Sequence, residues 1–280
     1  MLRKLLKYDL RAILKYWWIA AVTTVGLAGI SGVLIRILRV ENTRYTALQV
    51  MSVMALVFCI LGIALLSVIS WVLILVRFYK HFFTDEGYLT FTLPVKKHQL
   101  LTSKVLMALI THFITCVVII LDFVLALFIG FAEEIFRAEF WQDVQIFWQE
   151  LSEVLREVGG GYVALYILEY LLVLLTASVA STLVIYLCIT VAAIISRKYK
   201  ILTAIALYYG YSFISTGAVR ILLADGNMYS LFFRIADLGV ESTKMALGLL
   251  GLIGLGVYVL AAAGLYMLES YLLERKLNLV

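Results

Sequence analysis

The chain reads as an all-α membrane protein. Six transmembrane helices are expected, with an interfacial amphipathic helix ahead of the first span and a second amphipathic helix between spans three and four. Three observations predict this. Long apolar stretches recur six times along the 280 residues. Composition is extreme, with a mean hydropathy of +1.03, 64% hydrophobic residues and one proline, Pro94. Finally, the connectors between stretches alternate in their content of Lys and Arg.

The apolar stretches run from Trp17 to Leu38, Thr46 to Val76, Leu100 to Phe131, Tyr162 to Ile195, Ile201 to Leu223 and Lys244 to Leu268. Each reaches or exceeds the ~20 residues that a helix needs to cross ~30 Å of hydrocarbon. A single soluble core of this size has no room for so much apolar surface. The residues before Trp17 are basic, as in a secretory leader. The stretch that follows is too long for a leader and lacks a cleavage site, so it is read as a retained span. Cys59, Cys116 and Cys188 all fall inside apolar stretches, which argues against a disulfide framework. The net charge of +5 is accounted for by topology, and no nucleic-acid partner is expected.

Orientation follows from the 23 Lys and Arg residues. About 15 fall on the side of the N-terminus, among them Arg3, Lys4, Lys7, Arg77, Lys80, Lys96 and Lys97, and about 8 fall opposite. Acidic residues show the reverse bias. Short connectors rich in Lys and Arg stay cytoplasmic, so both termini are expected inside a multi-pass plasma-membrane protein.

Residues 1–16 form the first element. Leu2, Leu5, Leu6, Ile13, Leu14 and Trp17 recur at helical spacing, and Arg3, Lys4, Lys7, Arg11 and Lys15 occupy the other face. A basic amphipathic helix of this kind suits an anionic inner leaflet.

The connector over residues 77–99 is short, aromatic and charged, and it holds Pro94. Thr84 is a plausible N-cap, with Asp85 and Glu86 in a favourable first turn. Gly87 limits the length of any helix there, and Pro94 stops it. Spans two and three, at about 31–32 residues or ~47 Å, exceed the hydrocarbon core and would hold this connector away from the membrane.

Phe82 to Leu89, then Thr92 to Val95 and the Lys, His and Gln residues entering the next span, resemble permease subunits of type-2 ABC exporters. The resemblance covers the whole chain as architecture and is concentrated at residue level in Phe82 to Gln99. It implies a coupling helix that docks on a separate P-loop ATPase subunit through Phe82, Phe83, Thr84, Asp85, Glu86, Gly87 and Tyr88. It also implies a second permease copy or paralogue. ATP and Mg would be bound by the partner ATPase and no cofactor by this chain. One departure is evident: the family's better-known outer helices lie between spans five and six, whereas the longest outward loop here lies between spans three and four. Ala224 to Thr243, with Leu231, Phe232, Phe233 and Ile235, is a candidate for the missing element, and sequence leaves open whether it re-enters the membrane.

That longest loop, residues 132–161, is expected outside. Phe136, Phe140, Val144, Phe147, Leu151, Leu155 and Val158 recur at steps of three and four. The segment from Glu133 to Val158 that holds them also has seven acids, Glu133, Glu134, Glu139, Asp143, Glu150, Glu153 and Glu157, and two arginines. Trp141 and Trp148 flank the stripe as interfacial anchors do. Gly159, Gly160 and Gly161 supply a joint into span four. The pattern fits a helix capping the bundle, an outer gate, or a surface for cationic or amphipathic cargo.

Two acids lie deep in apolar sequence: Asp122 in span three and Glu169 in span four. Facing lipid in ionised form, each would cost about 2.5–3.5 kcal/mol, so they should face protein or water. They are candidates for the translocation path, or alternatively interhelical hydrogen-bonding groups. His112 reads as a packing residue. In span six, Gly248, Gly251, Gly254, Gly256 and Gly264 permit close backbone approach, although Leu252 and Leu255 break the small-xxx-small dimer pattern.

No Gly-x-x-x-x-Gly-Lys-Ser/Thr segment is present to cradle ATP. His81, His98 and His112 lack metal-ligand spacing, and no catalytic group stands out. The expected function is half of an export pathway for peptides or other amphipathic compounds, driven by ATP hydrolysis on the partner, with no enzymatic site of its own. The alternatives are a non-transporting scaffold or sensor subunit, or an ion-coupled carrier using Asp122. Inverted repeats, which would favour a carrier, are not evident.

Overall fold

Stretches that are apolar all round leave a helix no polar face to turn toward water. Their interior contacts are then expected to use small and polar side chains, because lipid is as apolar as leucine. The computed structural model describes residues 2–39, 46–84, 87, 97–196, 198–224 and 240–275. Its eight described helices are α1 (Leu2–Arg39), α2 (Thr46–Phe83), α3 (Lys97–Gly130), α4 (Ala132–Ile135), α5 (Ala138–Val158), α6 (Gly160–Ile195), α7 (Lys200–Ala224) and α8 (Val240–Arg275). Among the described residues there is no strand.

Five of these helices, α1, α2, α3, α6 and α8, are long and apolar enough to cross a membrane. The protein is therefore an all-helical protein of membrane type. The fifth expected span corresponds to α7, which has the length at 25 residues. Over its described side chains it is not among the five.

Large apolar side chains point outward along these helices. Phe58, Phe123, Tyr209 and Phe213 are exposed, the last at 82%. Buried positions tell the opposite story. On α1 they are Asp9, Ile13, Trp17, Ala21, Thr24, Ala28 and Ser31, a single stripe at steps of three and four. Residues 1–16, expected as a basic amphipathic helix leading straight into the first span, are continuous with that span in α1. α1 runs unbroken from Leu2 to Arg39, and Asp9 and Ile13 belong to the stripe that continues through Ser31. The physical reason is that no Gly or Pro interrupts α1 before Gly26, while Asp9 finds cationic partners on α2 and α3.

The described residues gather into two units. The first comprises residues 1–80 and 102–151, and the second residues 81–101 and 152–280. In the first, α1, α2 and α3 are tied by side-chain bonds at several levels, and Arg36 and Arg39 of α1 pair with Glu133 and Glu134 of α4. Arg39 also lies over the ring of Phe131 at 4.3 Å. In the second, α6 packs against both α7 and α8. Gly251 of α8 faces Glu169 of α6 so closely that a Cβ would stand 2.5 Å from a carboxylate oxygen. The start of α3, also in this unit, holds the end of α8: Lys97 Nζ donates to the carbonyls of Leu273 (2.9 Å) and Glu274 (3.4 Å), and Tyr266 donates to the His98 carbonyl (3.1 Å). A cation on the last carbonyls of a helix satisfies acceptors that have no intrahelical partner.

An amphipathic helix between the third and fourth expected spans is present as α5. It ends at Gly159, whose φ of 91° is open to glycine and strained for other residues, and α6 begins one residue later.

Candidate functional site

The connector expected to serve as a coupling segment spans residues 77–99. α2 continues as helix through Phe83 and α3 begins at Lys97, so both ends of the connector are helical. Phe82 and Phe83 are buried, their rings tilted against each other at 6.3 Å, and the Phe83 carbonyl accepts from Lys200 Nζ at 3.4 Å. The half-buried Thr84 leaves the helix, and its carbonyl accepts the Gly87 N–H at 2.7 Å. Asp85, Glu86 and Tyr88 lie outside the described residues, as does most of Ala224 to Thr243.

In the first unit the three long helices meet through polar groups. Asp9, 2% exposed, accepts from Lys104 Nζ of α3 at 2.6 Å and from Arg77 Nε of α2 at 3.1 Å. About two turns further along α1, the Trp17 indole N–H donates toward Ser70 of α2 at 2.9 Å and Thr115 of α3 at 3.0 Å. The two hydroxyls lie 2.8 Å apart. One residue of each long helix thus closes a triangle around an indole. His112 packs its ring against Trp71 at 4.3 Å, with a centroid geometry typical of packed rings.

Asp122 lies on the same face of α3 as Lys104, Thr111 and Thr115 and is 1% exposed. Thr24 of α1 faces its carboxyl, but the Thr24 hydroxyl donates to the Ala21 carbonyl at 2.8 Å. Among the described residues, neither carboxylate oxygen has a hydrogen-bond partner. An acid in this situation is costly unless a proton, an ion or water joins it.

In the second unit Glu169 is buried against Gly251, and one of its oxygens is also without a partner. Glu269 of α8, with no exposure at all, accepts from the Thr190 hydroxyl of α6 at 2.5 Å, and its second oxygen is unpartnered. Asp122 therefore belongs to the first unit and Glu169 to the second, each in its own helical environment.

Sequence reasoning missed Asp9 and Glu269. Asp9 had a readable signal, because it stands four residues before Ile13 and eight before Trp17, on one helical stripe. Glu269 was taken to lie beyond the last span, yet the apolar pattern resumes at Tyr271 to Leu273 and Leu273 is buried. Among the described residues no group of His, Cys, Asp or Glu is arranged to hold a metal ion. The polar stripe of α1, α2 and α3 can instead line a path or brace a bundle. No protein-family model, curated protein or solved structure was found to match this chain.

Proposed function

We propose that the chain is the permease subunit of an ABC exporter. On this reading it has six spans with both termini cytoplasmic, forms half of a translocation unit in the plasma membrane, and moves peptides or other amphipathic compounds. A separate P-loop ATPase supplies the work, and a second permease copy or paralogue completes the path. The observation that carries the reading is the connector between α2 and α3. It joins helices of 38 and 34 residues, ~57 and ~51 Å long, well beyond the ~30 Å of hydrocarbon. Such helices can carry a short turn clear of the headgroups, where a soluble partner reaches it. With Phe82 and Phe83 packed inside, the docking contacts fall to Thr84 and to Asp85, Glu86 and Tyr88, and the two phenylalanines act as the base that positions them.

The test is co-expression with a candidate P-loop ATPase subunit, followed by reconstitution. The two proteins should co-purify, and transport should need hydrolysable ATP but no ion gradient. Asp85→Ala with Glu86→Ala should weaken assembly by ~2 kcal/mol or more, since a short docking element has few contacts. Unaltered assembly and turnover in that variant would sink the coupling role. A second reading, the ion-coupled carrier, is favoured by the unpartnered, buried carboxyl of Asp122. It predicts gradient-driven uptake by this chain alone, abolished in Asp122→Asn; the exporter predicts that ATP-driven transport survives that change.

A further inference from the structure

α5 is the one long described helix whose two faces differ sharply in chemistry, and no described side chain along it is buried. Phe140, Val144, Phe147 and Leu151 form its apolar stripe. Trp141 and Trp148, two turns apart on one rim of that stripe, are 56% and 61% exposed. Glu139, Asp143 and Glu150 line the other rim, and Glu153 lies toward the far side with Gln142, Gln145 and Gln149. An amphipathic helix that exposes phenylalanine and tryptophan over six turns needs an apolar surface to lie against.

We propose that α5 lies flat in the interface of the lipid bilayer, at the surface where α3 ends and α6 begins, with its aromatic stripe inserted among the acyl chains. Chain continuity favours lipid over a protein partner. α3 and α6 are both apolar enough to span, α5 starts eight residues after α3 ends, and α6 starts two residues after α5 ends. A helix of 21 residues, about 32 Å long, is therefore joined at each end to a helix apolar enough to span. Tryptophans at the rim are the side chains that settle at headgroup level, with the ring in the apolar layer and the indole N–H toward water.

The charge of the polar face refines the lipid chemistry. Most interfacial helices are basic and draw on anionic lipid. α5 carries five acids, Glu139, Asp143, Glu150, Glu153 and Glu157, against Arg156 alone. Its attachment must come from apolar burial, and anionic headgroups should oppose it. The occupant is accordingly a zwitterionic lipid surface.

The experiment uses the full chain, with Cys59, Cys116 and Cys188 replaced by alanine, reconstituted in phosphatidylcholine vesicles. Spin labels are placed singly at Phe140, Gln142, Val144, Gln145, Phe147, Gln149 and Leu151. Collision with oxygen and with a water-soluble nickel chelate is then measured. Oxygen access should peak at Phe140, Val144, Phe147 and Leu151, and nickel access at Gln142, Gln145 and Gln149. Substituting half of the lipid with phosphatidylglycerol should lower the oxygen peaks at least twofold. Because labels can perturb the stripe, the unlabelled chain is also tested with brominated phosphatidylcholine. Quenching should fall in Trp141→Phe with Trp148→Phe relative to the parent. Nickel access on both faces, or loss of access to both reagents on the aromatic face as a protein contact would cause, overturns the proposal. Equal oxygen peaks in the two lipid mixtures would overturn its zwitterionic preference.

Discussion

Asp9 and Glu269 are both carboxylates sealed inside helix contacts, and the molecule accommodates them in opposite ways. Asp9, in the first unit, is met by two cations from two other helices, Lys104 at 2.6 Å and Arg77 at 3.1 Å. Glu269, in the second, is met by one hydroxyl, that of Thr190, and keeps an oxygen without a partner. The first arrangement stores its stability in charge and collapses if one sign is removed. The second depends on a single acceptor and makes no use of a countercharge. Burial by itself therefore says little about whether an acid braces a helical bundle or sits in it as a spare polar group.

The largest expected effect is at Asp9. Asp9→Ala leaves Lys104 buried beside Arg77 with the shared carboxylate gone, and should cost about 3–5 kcal/mol. Thermal loss of monodispersity in detergent reads this out. Combining Asp9→Leu with Lys104→Leu should recover much of the loss. A single-site cost below ~1 kcal/mol would mean that the clamp contributes only what a surface pair does.

Next in size is Gly251→Ala, for which about 1–3 kcal/mol is expected because the added methyl invades the space of the Glu169 carboxyl. Glu169→Ala should relieve it, so the double variant ought to be more stable than the two separate losses predict. Simple additivity would show that Gly251 serves some other contact.

Trp17→Phe retains most of the ring but removes the donor shared by Ser70 and Thr115. A loss of about 1–2 kcal/mol is expected from the hydrogen bonds and the reduced packing. Since the two hydroxyls still meet each other, adding Ser70→Ala should cost little more. A larger additional loss would show that Ser70 braces the bundle independently of the indole.

The smallest effect belongs to Glu269→Gln. The side-chain amide keeps an acceptor for Thr190, so stability should change by less than ~0.5 kcal/mol, whereas Thr190→Val should cost about 1 kcal/mol. If Glu269→Gln lost more than ~2 kcal/mol, the charge itself would be essential, and the contrast with Asp9 would fail.

How far the molecule was legible differs from part to part. α5 was readable at its C-terminal end, since its recurrence of Phe, Val and Leu is a local pattern with helical period. The helix expected from Glu133, however, is interrupted at Phe136 and Arg137, so that Ala132–Ile135 stands apart as α4. The end of α2 was not, because Arg77 to Phe83 carries charge and aromatic bulk that look like a loop while having nothing that breaks a helix. Asp122 and Glu169 were found because each is a lone acid in apolar sequence. Asp9, among basic residues, and Glu269, past the strongest hydropathy, lacked that contrast.

The sequence by itself determined that the protein is helical and of membrane type. Hydropathy, helical period and run length are sums over neighbouring residues, and each residue contributes its own transfer free energy whatever the rest of the chain does. Only the tertiary structure decided that Asp9 meets Lys104 and Arg77, that Trp17 closes onto Ser70 and Thr115, that Glu169 fits against Gly251, and that Phe82 and Phe83 point inward. Those outcomes depend on which helices pack and on the rotation of each about its axis. Side chains 45 to 98 positions apart become partners only after that rotation is fixed, and a local sum carries no information about it.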